Sequence, residues 1–532
     1  MRGRIAWAAF AVTAGVLVAA WRFLALVGFG DDHYVHLAGA QQILFGEWPS
    51  RDFVDAGAPL MYALSAAVLW LVPDVPLFGE AILMALMFGL GAVLTVYAAR
   101  PLTASLVCAI LAVAVEIVIF PRTYSYPKVL TYAAGFLAMW RYVDRPSLTR
   151  MVQIAVVVVA SFLLRYDHGL YIGFGGLVTV LLAARFASES LRKSAIYALV
   201  VLALLTPYLA YVQYYDGLTR HLRRGMELSA LENSRGRRAP EFVFDGDLRS
   251  NAVPWLYYEF HLLPLVSAAV ALARWRRSSD ARELAMVVPL LAVAVPMNFG
   301  LIRETVSARL PDAVVPASLQ LAWLLSCVRD VRPAARRAVA WATAAVVVLL
   351  TGASVVVVGA TKEQLDRAQV LDGLSRVTKQ FSDRASQLRA RLPPEQMPSR
   401  TAYALLPFFA YADRCLTQRD HILVPAFLPE VLVWARRPFA GGQVVFQAGA
   451  LDGVEDHRVV MDHLIRQRVP VVVLSSDADL VTADFRDLAG FIASRFAEIV
   501  PISSSDGSSI RVGFDPQMAV KRDTETGWWC YR

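Results

Sequence analysis

Apolar residues form a series of long runs over the first two thirds of the chain, with polar residues between them. A helix needs roughly 17 to 25 such residues to cross a bilayer. Runs of this kind occupy 5–27, 77–98, 102–120, 194–213, 254–273, 284–300, 313–328 and 338–360, and shorter ones at 129–140, 151–164 and 169–184 extend into polar flanks. The pattern predicts an all-α polytopic membrane domain over residues 1–360, with about eleven transmembrane helices.

One further apolar run, at 58–72, is shorter than a typical span and fits an interfacial or re-entrant helix better. If it does not cross, residues 28–76 form a first outer loop and the N-terminus is cytoplasmic. The arginine-rich loops at 274–282 and 329–337 are then cytoplasmic as well. The positive-inside rule favours this topology only weakly. The assignment of the inner and outer loops therefore depends mainly on the short length of the run at 58–72.

The pattern changes after Ala360. Residues 361–392 are charged and place apolar residues at helical spacing, which predicts a helical stalk. Residues 393–532 combine β-like runs at 403–409, 421–427, 469–476 and 509–514 with helical patterns at 428–437, 455–468 and 484–498. This alternation predicts a C-terminal soluble α/β domain, which the preferred topology places outside the cytoplasm.

Composition narrows the class of protein. The chain is 57% hydrophobic and 18% charged, which is too apolar for a soluble protein of 532 residues. Its net charge of +8 reflects arginines beside apolar runs, where they meet membrane lipids, and the basic stripe of a nucleic-acid-binding protein is absent. The four cysteines lack metal-binding spacing. Cys415 and Cys530 can pair if their domain is extracytoplasmic; two free thiols are the alternative.

Unusual polar residues collect on the predicted outer side. They are Asp31, Asp32, Tyr34, Arg122, Lys128, Arg165, Asp167 and His168. Charges at membrane depth are costly and usually line a pathway or a site. A carboxylate can take a proton from an attacking hydroxyl, and arginines can bind a phosphate bidentately. The set therefore suits transfer to an alcohol from a phosphate-linked donor.

Each of these candidate site residues can also have a purely structural role. Asp31 and Asp32 can cap a helix, Arg165 can pair with Asp167, and Arg122 and Lys128 can reach the interface from an apolar environment. His168 taken alone is more typical of a structural histidine. Glu116, inside an apolar run, must be protonated, paired or directed at a cavity, with Arg22 as one conceivable partner. The arginines of the loop 214–253 can bind an anionic acceptor or lipid headgroups.

The first outer loop resembles that of the glycosyltransferase-C (GT-C) superfamily, which includes protein O-mannosyltransferases, aminoarabinose transferases of lipid A and Rgt-like bacterial transferases. The matching residues are Asp31, Asp32, Tyr34, Ala38, Leu44, Gly46, Trp48, Pro59 and Leu60, and PRTYSYPKVL occupies the place of the second outer loop. Two features depart from the family pattern. Gly57-Ala58 replaces the frequent Lys-Pro before Pro-Leu, and the second loop lacks its aspartate.

The resemblance implies inverting transfer of a sugar from a polyprenyl-phosphate donor to a hydroxyl of a lipid, glycan or protein acceptor. Asp31 or Asp32 would be the general base, on the outer face of a bacterial cytoplasmic membrane. The second-loop cations, with Arg165, Asp167, His168 and Tyr34, would contact donor phosphate or substrate. Members of the superfamily differ in their use of metal ions, so the resemblance does not decide whether a divalent cation is a cofactor.

Two other functions fit the same residues. A transporter or flippase for an amphiphile could use a pathway of carboxylates and arginines, although no inverted repeat is visible in the sequence. A non-catalytic envelope-assembly protein could share the scaffold and would keep its function without Asp31 and Asp32. Loss of activity on neutralising the aspartates separates the enzyme from this last alternative.

Overall fold

The structure is a computed structural model. It describes residues 2–55, 57–184, 186–234, 238–244, 246–278, 281–302, 306–394, 403–447, 449, 453–503 and 509–532. Parts of the stretches 214–253, 274–282 and 393–532 lie outside the described residues, Arg235 and Arg237 among them, as does the side chain of Asp31.

Most of the first 390 residues are helical. The helices are α1 (Arg2–Leu24), α2 (Asp31–Leu44), α3 (Pro59–Leu71), α4 (Pro76–Thr103), α5 (Leu106–Val118), α6 (Tyr126–Asp144), α7 (Leu148–Leu164), α8 (Tyr166–Leu182), α9 (Ala187–Tyr215), α10 (Leu218–Ser234), α11 (Leu248–Ser278), α12 (Ala281–Phe299), α13 (Val306–Arg309), α14 (Val314–Val328), α15 (Ala334–Val358), α16 (Thr361–Ala368) and α17 (Leu374–Arg389). Every one of the eleven predicted apolar runs coincides with a helix. The fold is that of a polytopic membrane protein.

Seven helices within the described residues are long and apolar enough to cross a membrane by length and composition: α1, α4, α9, α11, α12, α13 with α14, and α15. Several of them carry large apolar side chains on their outer surfaces. Leu199 in α9 is 64% exposed and Leu349 in α15 is 71% exposed. Such surfaces would be costly in water and suit contact with lipid tails.

The ambiguous run at 58–72 forms α3, a helix of 13 residues. Pro59 starts it, which a helix tolerates because its first N–H groups have no intrahelical acceptor. At 1.5 Å per residue the helix spans only about 20 Å, less than the hydrocarbon core of a bilayer. Its length agrees with a segment that does not cross; the orientation of the chain remains a prediction.

The chain divides into two compact units. Unit 1 contains Met1–Ala25, Met84–Ala210 and Glu232–Phe381. Unit 2 contains Leu26–Leu83, Tyr211–Leu231 and Ser382–Arg532. Unit 2 thus combines the predicted first outer loop and α10 with the C-terminal region. The predicted division at 360 and 392 remains a prediction, and α16 and α17 occupy the predicted stalk.

The C-terminal region contains strands and short helices, as predicted. Its elements are α18 (Leu406–Cys415), β1 (Ile422–Leu423), α19 (Pro429–Ala435), α20 (Val454–Arg466), β2 (Val471–Leu474), α21 (Ser476–Asp484), α22 (Arg486–Arg495), β3 (Glu498–Ser503), β4 (Ser509–Phe514), β5 (Lys521–Arg522) and β6 (Trp529–Cys530). Strands β1, β2, β4 and β3 form one sheet in that order, with β1 and β2 parallel and the other pairs antiparallel. Strands β5 and β6 pair separately.

Two predictions in this region were wrong. The run 403–409 is not a strand, because α18 begins within it and buries Phe408, Tyr411 and Cys415 on a helical spacing. Strand β3 was missed, since its sequence EIVPIS directly follows a helical pattern and includes a proline. The strand still pairs with β4 along its length, from Glu498 opposite Phe514 to Ser503 opposite Ser509.

A disulfide joins Cys415, at the end of α18, to Cys530 in β6. The two residues are 115 positions apart, so the bond closes most of the C-terminal region into one covalent loop. The neighbouring backbone agrees with this closure, because the Tyr531 N–H donates to the Cys415 carbonyl at 2.9 Å. The other cysteines, Cys108 and Cys327, are buried and free.

Removing this disulfide tests how far the C-terminal region depends on it. In the chain-entropy account, a loop of this length contributes about 4 to 5 kcal/mol. We expect Cys415→Ser with Cys530→Ser to lower the thermal midpoint of unit 2 by roughly 5 °C or more, measured by differential scanning calorimetry of the full chain. Reductant should shift the wild type equally and leave the double variant unchanged. An equal response of both proteins would contradict the bond.

Candidate functional site

The predicted site residues between Arg122 and His168 lie at the beginnings of α6 and α8, in unit 1. Pro127 occupies the first turn of α6, a position where its missing N–H has no cost. Arg165 has extended backbone and separates α7 from α8, so the chain turns sharply there. The two helix starts bring Lys128, Arg165 and Asp167 into electrostatic interaction with one another.

Lys128 is the most deeply buried cation of this group, with 2% of its side chain exposed. Its ammonium group forms a salt bridge with Asp312, in the turn that leads into α14. Ser125 Oγ donates to the other carboxylate oxygen of Asp312 at 3.0 Å. Because a buried charge is costly unless it is paired, this ion pair fastens the start of α6 to the start of α14.

Arg165, Asp167 and His168 form the second half of the cluster. Arg165 Nε and the His168 backbone N–H both donate to Asp167 Oδ1, at 3.0 and 2.9 Å. The structural salt bridge considered above is therefore present. His168 itself is buried, with Nδ1 hydrogen-bonded to the Tyr132 hydroxyl. Gly169 permits this turn, since a Cβ there would lie 2.3 Å from the Phe162 Cα.

Arg122 contacts the side chain of Tyr124. Its guanidinium donates to the Tyr124 hydroxyl and lies 5.7 Å from that ring's centroid. Lys128 Nζ is also 5.7 Å from the same centroid. Two cations thus flank Tyr124, whose ring face attracts positive charge. We call Arg122, Lys128, Arg165, Asp167, His168 and Asp312 the charged cluster.

The aspartate pair lies in unit 2, at the start of α2. Asp31 is the first helical residue and Gly30 occupies the N-cap position, so the pair follows the cap instead of forming it. Asp32 is half-buried. Tyr34 is 2% exposed and packs edge-on against Phe29, so it supports α2 from inside. A helix N-terminus stabilises negative charge, which suits two adjacent carboxylates.

Buried polar contacts hold the aspartate pair's helix in place within unit 2. His33 Nε2 and Glu80 Oε1 are 2.8 Å apart with both side chains fully buried. Gln42 donates to the Phe439 carbonyl at 3.3 Å, and its own amide oxygen accepts from the Phe439 N–H at 3.0 Å. α2 is therefore anchored to α4 at one end and to the C-terminal region at the other.

The remaining polar candidates have structural partners. Glu116 accepts a hydrogen bond from Thr95 Oγ1 at 2.8 Å. Arg22 instead donates to the Pro121 carbonyl at 2.5 Å, and its guanidinium lies between the rings of Phe88 and Phe120 at 4.0 and 3.8 Å. The contacts of Glu116 and Arg22 that the structure describes in unit 1 therefore do not include the predicted pairing of these two residues.

The region 214–253, interpreted as a loop, contains α10. Arg224 pairs with Asp216 at 2.9 Å and with Asp456 at 2.7 Å. Arg220 pairs with the same Asp216 at 3.2 Å and with Glu455 at 3.4 Å. These arginines stabilise the packing of α10 within unit 2, which makes them weaker candidates for a substrate site than the charged cluster.

Asp312 is the residue that sequence reasoning missed. Its sequence context, Leu310-Pro311-Asp312-Ala313, offered one signal, a carboxylate directly before an apolar run. The buried pair of His33 and Glu80 was also missed, because nothing in the sequence relates residues 47 positions apart. Within the described residues, no group of three or more His, Cys, Asp or Glu could hold a metal ion. The divalent cation stays open.

The chain has the GT-C-like fold of a polytopic membrane protein, with a helical region and a small strand-containing C-terminal region. No family model and no curated protein matches the sequence. Among solved structures, the chain is similar to ArnT from Cupriavidus metallidurans bound to undecaprenyl phosphate. The TM-score is 0.52 at 14% identity, over 95% of this chain and 98% of that chain. The same protein in the apo state gives a TM-score of 0.47 at 14% identity, over 96% and 98%.

The salt bridge inside the charged cluster can be tested by a double-mutant cycle. We expect Lys128→Met and Asp312→Asn each to destabilise the protein by about 3 kcal/mol, because each leaves its partner buried and unpaired. The double variant should cost less than the sum of the two by at least about 1 kcal/mol. Thermal unfolding in detergent measures all four proteins. Additive losses would mean that the two side chains do not interact.

Proposed function

We propose that this chain is a membrane glycosyltransferase that uses a polyprenyl-phosphate-linked sugar. The observation that carries the proposal is the Asp31-Asp32 pair at the first turn of α2 in a chain with the GT-C fold. The fold neighbour bound to undecaprenyl phosphate supports a lipid carrier of that kind. Seven candidate spans support action at a membrane.

In the proposed reaction, an ionised aspartate accepts the proton of an acceptor hydroxyl. The hydroxyl oxygen attacks the anomeric carbon, a new C–O bond forms, and the bond from that carbon to the phosphate oxygen breaks. The phosphate leaves with the electron pair and remains on the lipid. One displacement inverts the anomeric configuration. Because a phosphate leaves readily, one general base is sufficient and no strong general acid is needed.

Both aspartates are placed to serve as the general base. Asp31 is at the first position of the helix and Asp32 at the second, so both share the favourable end of the helix dipole. Tyr34, in the same turn, is buried and positions the helix rather than reaching a substrate. We assign the base to Asp31 or Asp32 and leave the other to orient the acceptor or a divalent ion.

The charged cluster is proposed to bind the anionic donor. Lys128 and Arg165 form salt bridges with Asp312 and Asp167. Arg122 belongs to the same cluster and is half-buried, and we assign it a contact with the donor phosphate, which a guanidinium group can bind bidentately. Arg165 and Asp167, each at least one third exposed, remain accessible for a sugar or a phosphate. His168 is assigned a supporting role, because it is buried against Tyr132.

We propose a bacterial cytoplasmic membrane as the location, with the N-terminus in the cytoplasm and residues 393–532 outside it. A disulfide in that region fits an oxidising compartment. Lipid-linked donors serve reactions outside the cytoplasm, where nucleotide sugars are absent. The acceptor is a hydroxyl of an envelope lipid, glycan or protein, and the sugar is a hexose or a pentose.

Neutralising the aspartates tests the proposed base. We expect Asp31→Asn or Asp32→Asn to reduce sugar transfer at least about 100-fold, as loss of a general base does. The measurement is transfer of labelled sugar from polyprenyl-phosphate sugars to an envelope fraction by purified protein. Asp74→Asn, an exposed carboxylate of the same predicted loop, is the matched control and should retain activity. Full activity in both test variants would refute the carboxylate mechanism.

The donor role of Arg122 gives a separate prediction. Arg122→Gln should raise the KM for the lipid-linked donor about tenfold and change kcat much less, because it removes a contact made before the transition state. Arg145→Gln, an exposed arginine after α6, is the control. A fall in kcat with an unchanged KM would assign Arg122 to the chemical step instead.

A further inference from the structure

Unit 2 contains an open cavity of about 540 Å³ that the proposed reaction does not use. Four arginines line it: Arg391, Arg436, Arg437 and Arg532. One carboxylate, Asp413, is the only acidic side chain among its described lining residues. The rest of the wall includes apolar side chains from α2 and α3, such as Leu44 and Leu69. The cavity is thus cationic on one side and apolar on another.

The charges in this cavity are not balanced. Asp413 pairs with Arg391 at 2.9 Å, which accounts for one arginine and leaves three. Burial lowers the pKa of both Arg436 and Arg437. The negative charge of Asp413 opposes this at both residues, as do Asp74 at Arg436 and Asp420 at Arg437, and the positive charge of Arg391 adds to the lowering of both pKa values. An anion in the cavity would therefore be attracted by several guanidinium groups at once.

Buried polar atoms in the wall also lack partners. Arg437 is 8% exposed, and its terminal nitrogens donate to four backbone carbonyls, including those of Ala412 and Leu416 at 2.8 Å. Among the described residues, its Nε has no hydrogen-bond partner. Gln41, also 8% exposed, donates to the Val433 carbonyl at 3.2 Å, while its amide oxygen has no partner within the same part of the chain. Buried groups of this kind normally have one.

The fold positions these groups firmly. Arg436 has a left-handed backbone with φ of 51°, immediately after α19, and this turn places Arg436 and Arg437 side by side. The disulfide between Cys415 and Cys530, and the hydrogen bond from Tyr531 to the Cys415 carbonyl, hold Arg532 beside Leu416. The arginines therefore come from three chain segments. A disulfide and hydrogen bonds to backbone carbonyls hold the segments of Arg437 and Arg532, and a salt bridge to Asp413 holds Arg391.

We propose that this cavity binds a phosphate monoester, with the apolar wall accommodating the hydrocarbon part of an amphiphile that carries it. Guanidinium groups match phosphate oxygens bidentately, and a monoester with up to two negative charges suits the surplus of cations better than a single carboxylate does. Arg437 Nε can donate to a phosphate oxygen, and Gln41 Oε1 can accept from a hydroxyl of the ligand.

This inference goes beyond the proposed function, because binding is measured without a sugar donor. Isothermal titration of the full-length protein in detergent would use inorganic phosphate, dihexanoyl phosphatidic acid and dihexanoyl phosphatidylcholine. We expect the first two to bind. We expect Arg436→Gln with Arg532→Gln to weaken their binding at least about tenfold, since charge-assisted hydrogen bonds are lost. Arg419→Gln with Arg458→Gln, two exposed arginines of the same region, should leave it unchanged.

The probes distinguish the two sources of the phosphate. Tighter binding of phosphatidic acid than of inorganic phosphate supports an amphiphile, and equal binding supports a free phosphate in the same site. Binding of neither probe, equal binding of phosphatidylcholine, or binding retained by the Arg436 and Arg532 double variant would overturn the proposal. Sugar transfer can fail or succeed in each of these cases, so the two proposals are tested separately.

A second measurement needs no variant and therefore does not depend on one that folds. Phenylglyoxal modifies accessible arginines, and mass spectrometry of the digested wild-type protein locates the modified positions. Inorganic phosphate should slow modification of Arg436 and Arg532 at least about fivefold and leave Arg419 unaffected. Equal rates at all three positions with and without phosphate would overturn the proposal.

Discussion

The salt bridge between Lys128 and Asp312 is the interaction on which the arrangement of the charged cluster depends. It connects the start of α6 with the turn before α14, although 184 positions separate the two residues. Neither charge would be stable in this environment alone, so the pair restricts how these segments can pack. Arg165 and Asp167 add a second, more exposed pair beside it. The charged cluster therefore contains two salt bridges, and Arg122 contacts Tyr124 beside them.

In unit 2, buried polar contacts and a disulfide likewise restrict how the segments pack. The buried pair of His33 and Glu80 and the amide contacts of Gln42 hold α2, so the first turn with Asp31 and Asp32 starts from a fixed backbone. The disulfide holds the C-terminal region closed, and α10 adds the ion pairs of Arg224. In each unit a polar pair that is largely buried, Lys128 with Asp312 or His33 with Glu80, supports the charged residues proposed for chemistry. Such support is what a reactive group needs to keep its geometry.

Sequence alone identified most of the architecture, because long apolar runs have few alternatives to helices in a membrane. It indicated the aspartate pair and the cations near 122–168 as candidates, because charges beside such runs are rare, and their roles remain predictions. It did not identify Asp312, since a single carboxylate before a helix has many ordinary uses and its partner lies far away in the chain. It misassigned 403–409, where an apolar run of seven residues suits a strand or a helix equally and Pro407 in the first helical turn decided the outcome.

The proposed function of this protein is the transfer of a sugar from a polyprenyl phosphate to an acceptor. It is tested most directly by incubating purified protein with an undecaprenyl-phosphate sugar and an envelope acceptor fraction, and by following both lipids by mass spectrometry. We expect the donor to disappear, undecaprenyl phosphate to appear in equal amount, and the sugar to be recovered on the acceptor with the opposite anomeric configuration. Donor that stays intact with every acceptor tested, or a sugar transferred with its configuration retained, would contradict this function.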